Sequence, residues 1–155
     1  MSEDSVAILV PEPRYTLFNG SRDDLPEVVV VNEALLAFEH TEIFAWHLEV
    51  TLHAVDLADH GMPSPDESKL LFEIGDKIEQ TLLGDNALFL ARSTWNGFRQ
   101  LAYRVYDPDV ADQALQELLT KDQGRFWEFR MEHDASWEQA GFYFQLFPLA
   151  SGSDA

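Results

Sequence analysis

The sequence predicts an α+β fold in which an antiparallel sheet carries two helices on one face. Three observations lead to this prediction: apolar and polar residues alternate over 43–53, two helices begin at proline-containing caps, and Asn96-Gly97 separates two apolar segments. Alternation with a period of two is typical of a strand buried on one side, and Asn-Gly between apolar segments is a strong hairpin signal. A chain of 155 residues that is 46% apolar is long enough to form a core, so we expect one domain over 1–155.

The N-terminal third of the chain predicts a β-hairpin and a short helix. Strands over 14–19 and 27–31 flank the turn-forming residues 20–24, and four consecutive valines make up most of the second strand. Asn32 can then cap a short helix over 33–39 through its side-chain oxygen. We expect this hairpin to extend the sheet.

The first long helix begins in Ser64-Pro65-Asp66-Glu67. This is the pattern of a capping box, with a hydroxyl at the N-cap, proline at the first helical position and Glu three residues after the serine. Apolar residues then recur at helical spacing up to Gly84. Gly75 lies on the same inner side, where we expect the helix to approach the sheet closely. Two strands over 87–94 and 98–106 follow as an antiparallel hairpin.

The C-terminal part repeats the same kinds of signal. Asp107-Pro108 begins a second helix, a strand covers 125–132, and Asp134 can cap a last short helix. From residue 43 onward the order is strand, helix, strand, strand, helix, strand, which is the split βαβ order of ferredoxin-like domains. The sequence therefore predicts a ferredoxin-like βαββαβ sandwich with an N-terminal hairpin extension and a short C-terminal helix.

The chain is strongly acidic. Its 28 acidic and 10 basic residues give a formal charge of −18, which repels phosphate backbones and anionic lipids and attracts basic surfaces. We therefore expect a basic protein partner and neither direct nucleic-acid binding nor membrane binding. The alternative is that acidity only keeps the protein soluble.

Our expectation for the cellular compartment is based on features that the sequence does not contain. It contains no Cys, which excludes disulfides and Cys-ligated zinc and fits a reducing compartment. It shows no signal-peptide pattern and no apolar segment of membrane-spanning length, so we expect a cytoplasmic protein. Small polar residues predict loose termini at 1–4 and 151–155 around an ordered core at 5–150.

Polar residues on several predicted strands share one face of the expected sheet. If both long helices cover the other face, the face with the polar residues is exposed to solvent over its whole length. It then forms either a solvated surface with salt bridges or a docking surface for a partner. Its candidate residues are His47, Glu49, Thr51, His53, Arg92, Arg104, Glu128 and Arg130.

The sequence predicts no catalytic residue, no metal site and no cofactor. His47, Glu49 and His53 lie on one side of a strand, but each step of two residues spans about 6 to 7 Å, so His53 is too distant to share an ion with the other two. There is no Cys nucleophile, no G-x-S-x-G pattern and no glycine-rich phosphate loop.

Four segments carry a resemblance to a known family: Gly61-Met-Pro63-Ser-Pro-Asp66-Glu67, the segment from Ala91-Arg92 to Gly97-Phe-Arg99, Asp134-Ala-Ser-Trp137, and Phe147-Pro148. With them the chain resembles the bacterial domain-of-unknown-function family 695, which is related to the small acidic proteins called regulator of ribonuclease E activity B. The resemblance implies the same α+β sandwich. It also implies a regulatory binding protein that modulates a ribonuclease, rather than an enzyme.

Most residues of these motifs look architectural, because glycine and proline set turns, acidic residues cap helices and tryptophan fills a core edge. They are Gly61, Pro63, Glu67, Gly97, Arg99, Asp134, Trp137 and Pro148. Arg92 and Arg99 are the polar exceptions, and each can pair with Asp134 or bind a ligand.

Three functional hypotheses remain open. The first is a non-enzymatic acidic regulatory or protein-binding domain with a basic partner. The second is an orphan enzyme or small-ligand binder that uses Arg92, Arg99, His47 and Glu49. The third is a structural module that forms a homodimer through its sheet.

Overall fold

The computed structural model describes residues 10–82 and 86–147. The termini that we expected to be loose, 1–4 and 151–155, lie outside the described residues, and so do Gly84, Pro148 and both ends of the expected core. Within the described part of the chain, no helix is long and apolar enough to cross a membrane.

The described residues form a mixed α/β structure with a six-stranded antiparallel sheet and three α-helices. In chain order the elements are β1 (Tyr15–Arg22), β2 (Leu25–Asn32), β3 (Trp46–His53), α1 (Pro65–Leu82), β4 (Ala87–Trp95), β5 (Phe98–Val105), α2 (Pro108–Leu119), β6 (Trp127–His133) and α3 (Glu138–Phe144), with short 3-10 helices at Glu33–Ala37 and Asp59–Gly61. The strand order across the sheet is β1-β2-β4-β5-β3-β6, and each neighbouring pair is antiparallel. The predicted α+β class is confirmed.

Helices α1 and α2 pack on the same face of the sheet, as predicted, and we call it the helical face. Its core contains the inward residues of α1, including Leu71, Ile74 and Ile78, and Leu115 of α2. They pack against alternate residues of β3 and β5. Burial of these apolar side chains supplies the main driving force for joining the helices to the sheet.

The opposite face carries a second core at one end of the strands. Helix α3 and the first 3-10 helix cover Val31 of β2, Leu90 of β4 and Ala102 of β5, and Trp137 and Phe44 complete this cluster. The prediction that the whole of this opposite face is exposed to solvent was therefore wrong. The reason is that the C-terminal helix is amphipathic and buries its apolar side against the sheet.

The helix caps are confirmed with one correction. Asp107 accepts hydrogen bonds from the amides of Asp109 and Val110, and the Ser64 hydroxyl accepts one from the Glu67 amide at 3.2 Å. The Glu67 carboxylate does not complete the capping box. It accepts hydrogen bonds from the Val55 amide and from Arg125, because the loop before α1 folds back over the helix start.

Both hairpin turns use left-handed residues. Asn96 and Gly97 have φ values of 48° and 82°, as the predicted tight hairpin requires. The first hairpin turns at Asp23-Asp24 alone, with φ values of 54° and 66°, so β1 runs to Arg22 and the predicted five-residue turn was too long. Aspartate tolerates this conformation because its short side chain can bond the local backbone.

Candidate functional site

A β-bulge decides where Arg92 lies. The register between β4 and β5 shifts between Phe89 and Ala91, so Leu90 and Ala91 both pack into the core of the opposite face. The extra residue reverses the alternation of the strand. Arg92 consequently lies on the helical face, over the ring of Phe72 in α1. The prediction that Arg92 lies on the opposite, solvent-exposed face was wrong.

Arg104 and His47 are on the predicted face, but they are buried beneath α3 and not in solvent. Their exposed fractions are 0% and 3%. Arg104 Nη1 donates to Asp134 Oδ2 at 2.9 Å, and its Nη2 donates to the Phe44 carbonyl at 3.2 Å. The prediction that Arg92 or Arg99 pairs with Asp134 was therefore wrong, since Arg104 takes that place.

Asp134 and Trp137 fix the start of α3. Asp134 accepts hydrogen bonds from the amides of Glu138 and Gln139, each at 2.9 Å, which confirms it as a capping residue. The Trp137 indole donates to the Thr41 and Phe44 carbonyls. These two motif residues are architectural, as expected.

Burial changes the charge state of this cluster. Desolvation, followed by the charge of Arg104, lowers the pKa of His47 from 6.5 to about 4. His47 is therefore neutral at pH 7, and its Nδ1, 3.3 Å from Arg104 Nη1, accepts a hydrogen bond from it. The pKa of Asp134 is lowered although burial opposes this, because the Gln139 amide, Arg104 and the Glu138 amide all donate to its carboxylate.

Two motif glycines form a second architectural contact. The Gly97 amide donates to the Gly61 carbonyl at 2.7 Å, so the loop before α1 docks on the β4–β5 turn. A Cβ on Gly61 would lie 3.0 Å from the Asn96 Cα, which leaves no room for a side chain. Pro63 closes the same loop through a bridge to Leu57.

The part of the opposite face that α3 leaves uncovered keeps five of the predicted residues together, and four of them form two pairs. Arg130 Nη2 lies 3.2 Å from Glu49 Oε1, and His53 Nε2 lies 2.8 Å from Glu128 Oε2. These pairs join β3 to β6 across the sheet. We call this area the open sheet surface, and its residues are Glu49, Thr51, His53, Ser93, Trp95, Phe98, Gln100, Glu128 and Arg130.

A groove runs between the open sheet surface and α3. Its volume is about 410 Å³, and a smaller depression of about 220 Å³ adjoins it near Trp95 and Phe98. Ser93 and Gln100 line both spaces. Phe142 and Tyr143 of α3 form the far wall.

Sequence reasoning missed several residues of this groove, namely Arg22, Glu27, Ser93, Gln100, Phe142 and Tyr143. Ser93 and Gln100 face each other in the β4–β5 register, so strand alternation could have found them once the bulge was known. No local sequence pattern indicated that α3 forms a wall of the groove, because the position of α3 depends on contacts with residues distant in the sequence.

Arg92 and Arg99 lie together on the helical face, separated by the sheet from the groove. Their guanidinium carbons lie 4.7 and 4.5 Å from the centre of the Phe72 ring. Arg92, Arg99, His47 and Glu49 therefore cannot form the single ligand site of the second hypothesis. Among residues 10–82 and 86–147, no three His, Asp or Glu side chains come together as metal ligands.

Comparison with known proteins identifies the family and leaves its activity open. No curated protein matches the chain. A family model described as a family of unknown function (DUF695) matches residues 14–147. This span covers most of the sequence and includes the sheet, the caps and α3. The chain belongs to this family.

Proposed function

We propose that the chain is a non-enzymatic, cytoplasmic protein-binding domain whose groove on the open sheet surface holds a basic segment of a partner. The groove itself carries this proposal. It is a concave space of about 410 Å³ between two elements whose positions are fixed by buried contacts, the sheet and α3. Clefts of a few hundred Å³ with a few convergent polar groups are the usual sites at which proteins bind small ligands, and we propose that this one holds a short segment of a partner.

The floor of the groove and of the adjoining depression offers unused hydrogen-bonding groups. Within the described part of the chain, the side chains of Thr51 and Gln100 bond no other protein group, while Ser93 is already bonded to Glu27 at 2.8 Å. A hydroxyl and an amide can each donate and accept, so they suit the backbone of an extended segment.

Charge favours a basic occupant. The net charge of −18 steers cations toward the protein. Glu27 and Glu49 line the groove and Glu128 borders it, and each has a basic side chain beside it that a partner's cation would have to replace: Arg22, Arg130 and His53, respectively. Arg130 pairs with Glu49 in an exposed position, with 70% of its side chain accessible, so an incoming lysine or arginine can replace it at little cost. Phe142, which is 64% exposed, offers a ring face for a cation.

The regulatory part of this proposal rests on the resemblance of the chain to regulator of ribonuclease E activity B. The order β4-β5-β3-β6 with α1 and α2 on one face supports a ferredoxin-like arrangement for 46–133. The acidic composition and the motif segments support a relation to regulator of ribonuclease E activity B. We infer that the natural partner is a basic region of a ribonuclease or of another protein.

Binding of an Arg/Lys-rich peptide tests the proposal. We expect Glu49→Lys and Glu128→Lys to weaken binding roughly three- to tenfold each, since each reverses a charge beside the groove. Raising salt from about 0.1 M to about 1 M, which shortens the Debye length from about 10 to about 3 Å, should weaken wild-type binding further.

Asp112→Lys is the matched control, because it changes the net charge equally on the exposed side of α2, on the helical face. It should leave binding close to wild type. Equal losses for all three variants would show that the peptide responds to net charge alone and would refute the groove as the site.

A further inference from the structure

Arg92 and Arg99 differ from every other arginine in the chain. All seven arginines lie within the described residues, and five of them, Arg14, Arg22, Arg104, Arg125 and Arg130, have a carboxylate within 4.0 Å. Arg92 and Arg99 have none within the described residues. In a chain with 28 acidic residues, the absence of partners at two neighbouring arginines needs an explanation.

Arg99 is the more deeply buried of the two. It is 5% exposed, and its Nη1 has no hydrogen-bond partner among the residues the structure describes. Its hydrogen bonds go only to neutral hydroxyls, from Nε to Thr94 at 3.1 Å and from Nη2 to Ser68 at 3.4 Å, and the second is long. A buried charged donor without an acceptor is costly, and it is uncommon in stable proteins.

The two charges also oppose each other. Burial, followed by the charge of Arg92, lowers the pKa of Arg99 from 12.5 to about 10. Both groups remain cationic at pH 7, so the site holds two like charges against one aromatic ring. An anion between them would remove this repulsion and supply the missing acceptor.

A small cavity adjoins both guanidinium groups. Its volume is about 40 Å³, and Phe72, Gly75, Arg92, Arg99 and Tyr103 are among its lining residues. One water molecule needs a cavity volume of roughly 10 to 15 Å³. The cavity can therefore hold a few water molecules or one carboxylate or phosphate group.

The rim of the cavity is partly apolar. Leu17, Val30 and Arg92 lie in one row across β1, β2 and β4. Leu17 and Phe72 are large apolar residues that remain exposed there. A ligand that enters over this row would therefore contact apolar side chains before its charged end reaches the arginines.

We propose that this arginine pocket, formed by Phe72, Gly75, Arg92, Arg99 and Tyr103, binds the carboxylate or phosphate group of a partly apolar small molecule. Arginine forks match the geometry of both oxyanions. Two carboxylates, Asp76 and Glu79, also line the cavity and compete with an added anion. Neither forms an ion pair within 4.0 Å with Arg92 or Arg99, and Glu79 accepts a hydrogen bond from the Tyr103 hydroxyl at 3.5 Å. The long-range charge of −18 opposes anions, so occupancy depends on these short-range contacts.

Titration of the intact chain with inorganic phosphate, acetate and hexanoate, followed by amide NMR at constant ionic strength set with chloride, tests the proposal. We expect saturable shifts centred on Phe72, Gly75 and Leu101, with hexanoate binding more tightly than acetate. Shifts that match those of added chloride, or that centre elsewhere, would overturn the oxyanion site. Equal affinities for the two carboxylates would overturn its apolar part.

Variants separate the arginines from general charge effects. Arg99→Met should reduce affinity at least about tenfold, because it removes a charged hydrogen bond and keeps an apolar stem of similar length. Arg14→Met removes an equal charge from an exposed site near the N-terminal end of β1 and should change affinity little. Glu79→Gln should raise affinity. Unchanged binding in Arg99→Met would refute the assignment, and the wild-type titration decides the matter if that variant does not fold.

Discussion

Arg104 and Asp134 form a buried ion pair that ties the centre of the sheet to the start of α3. Their side chains are 0% and 7% exposed, and the Nη1 to Oδ2 distance is 2.9 Å. Helix α3 has only seven residues, too few to be stable without tertiary contacts. Because α3 also forms one wall of the groove, this pair supports the proposed binding site without touching it.

Asp134→Ala should cost about 3 to 5 kcal/mol of unfolding free energy. The variant leaves the Arg104 charge buried without its partner and removes the acceptor for two amides of α3. Urea unfolding measures the loss, with Asp112→Ala on the exposed side of α2 as control. Equal stability of the two variants would contradict the buried ion pair.

Protonation of His47 should make stability depend on pH between about 6.5 and about 4. Burial and Arg104 lower its pKa to about 4 in the folded protein, so the unfolded chain binds a proton first as pH falls. The free energy of unfolding should be highest above pH 6.5 and should fall by at most about 3 kcal/mol as the pH is lowered to about 4.

Urea unfolding at a series of pH values checks this prediction. His47→Gln, whose side-chain oxygen can still accept from Arg104, should flatten the dependence between pH 6.5 and 4. His40→Gln, at an exposed position, should not. Parallel curves for wild type and His47→Gln would show that His47 does not titrate as a buried group.

Glu67 should control a lower pH window. The hydrogen bond from Arg125, helped by the Val55 amide, lowers the pKa of Glu67 from 4.5 to about 2 despite burial. Its contribution is present above pH 4.5 and is lost as pH falls toward 2, which amounts to about 2 to 3 kcal/mol. Glu67→Gln should flatten acid unfolding in this range, and Glu73→Gln, exposed on the same helix, should behave as wild type.

Two glycine substitutions should act in opposite directions. Gly75→Ala should raise stability by about 0.5 to 1 kcal/mol, because its Cβ meets only Leu101 Cδ1 at 3.6 Å and alanine favours the helix. Gly61→Ala should lower stability, since its φ is +78° and its Cβ would clash with the Asn96 backbone. Thermal unfolding of the two variants provides the comparison, and two changes of the same sign would contradict it.

Local sequence signals predicted most of the fold. The caps at Ser64 and Asp107, the Asn96-Gly97 turn and the alternation in β3 each depend on neighbouring residues, and each is confirmed. The antiparallel order followed from these elements and their short connections.

The site was predicted only in part, because its geometry depends on long-range packing. Alternation alone placed Arg92 with His47, but the bulge at Leu90 moved it to the other face. Nothing in the local sequence showed that α3 buries Arg104. The alternation of polar residues along a strand therefore predicted the face of the sheet on which they lie. It did not predict which part of that face remains exposed to solvent.

The most direct test of the proposed function is amide NMR mapping of an Arg/Lys-rich peptide on the intact protein. If the peptide lies in the groove, the largest shifts should centre on Thr51, Ser93 and Gln100 and continue along α3, while α1 and α2 on the helical face stay unchanged. Shifts spread evenly over the acidic surface, or centred on α1 or α2, would contradict the groove as the binding site.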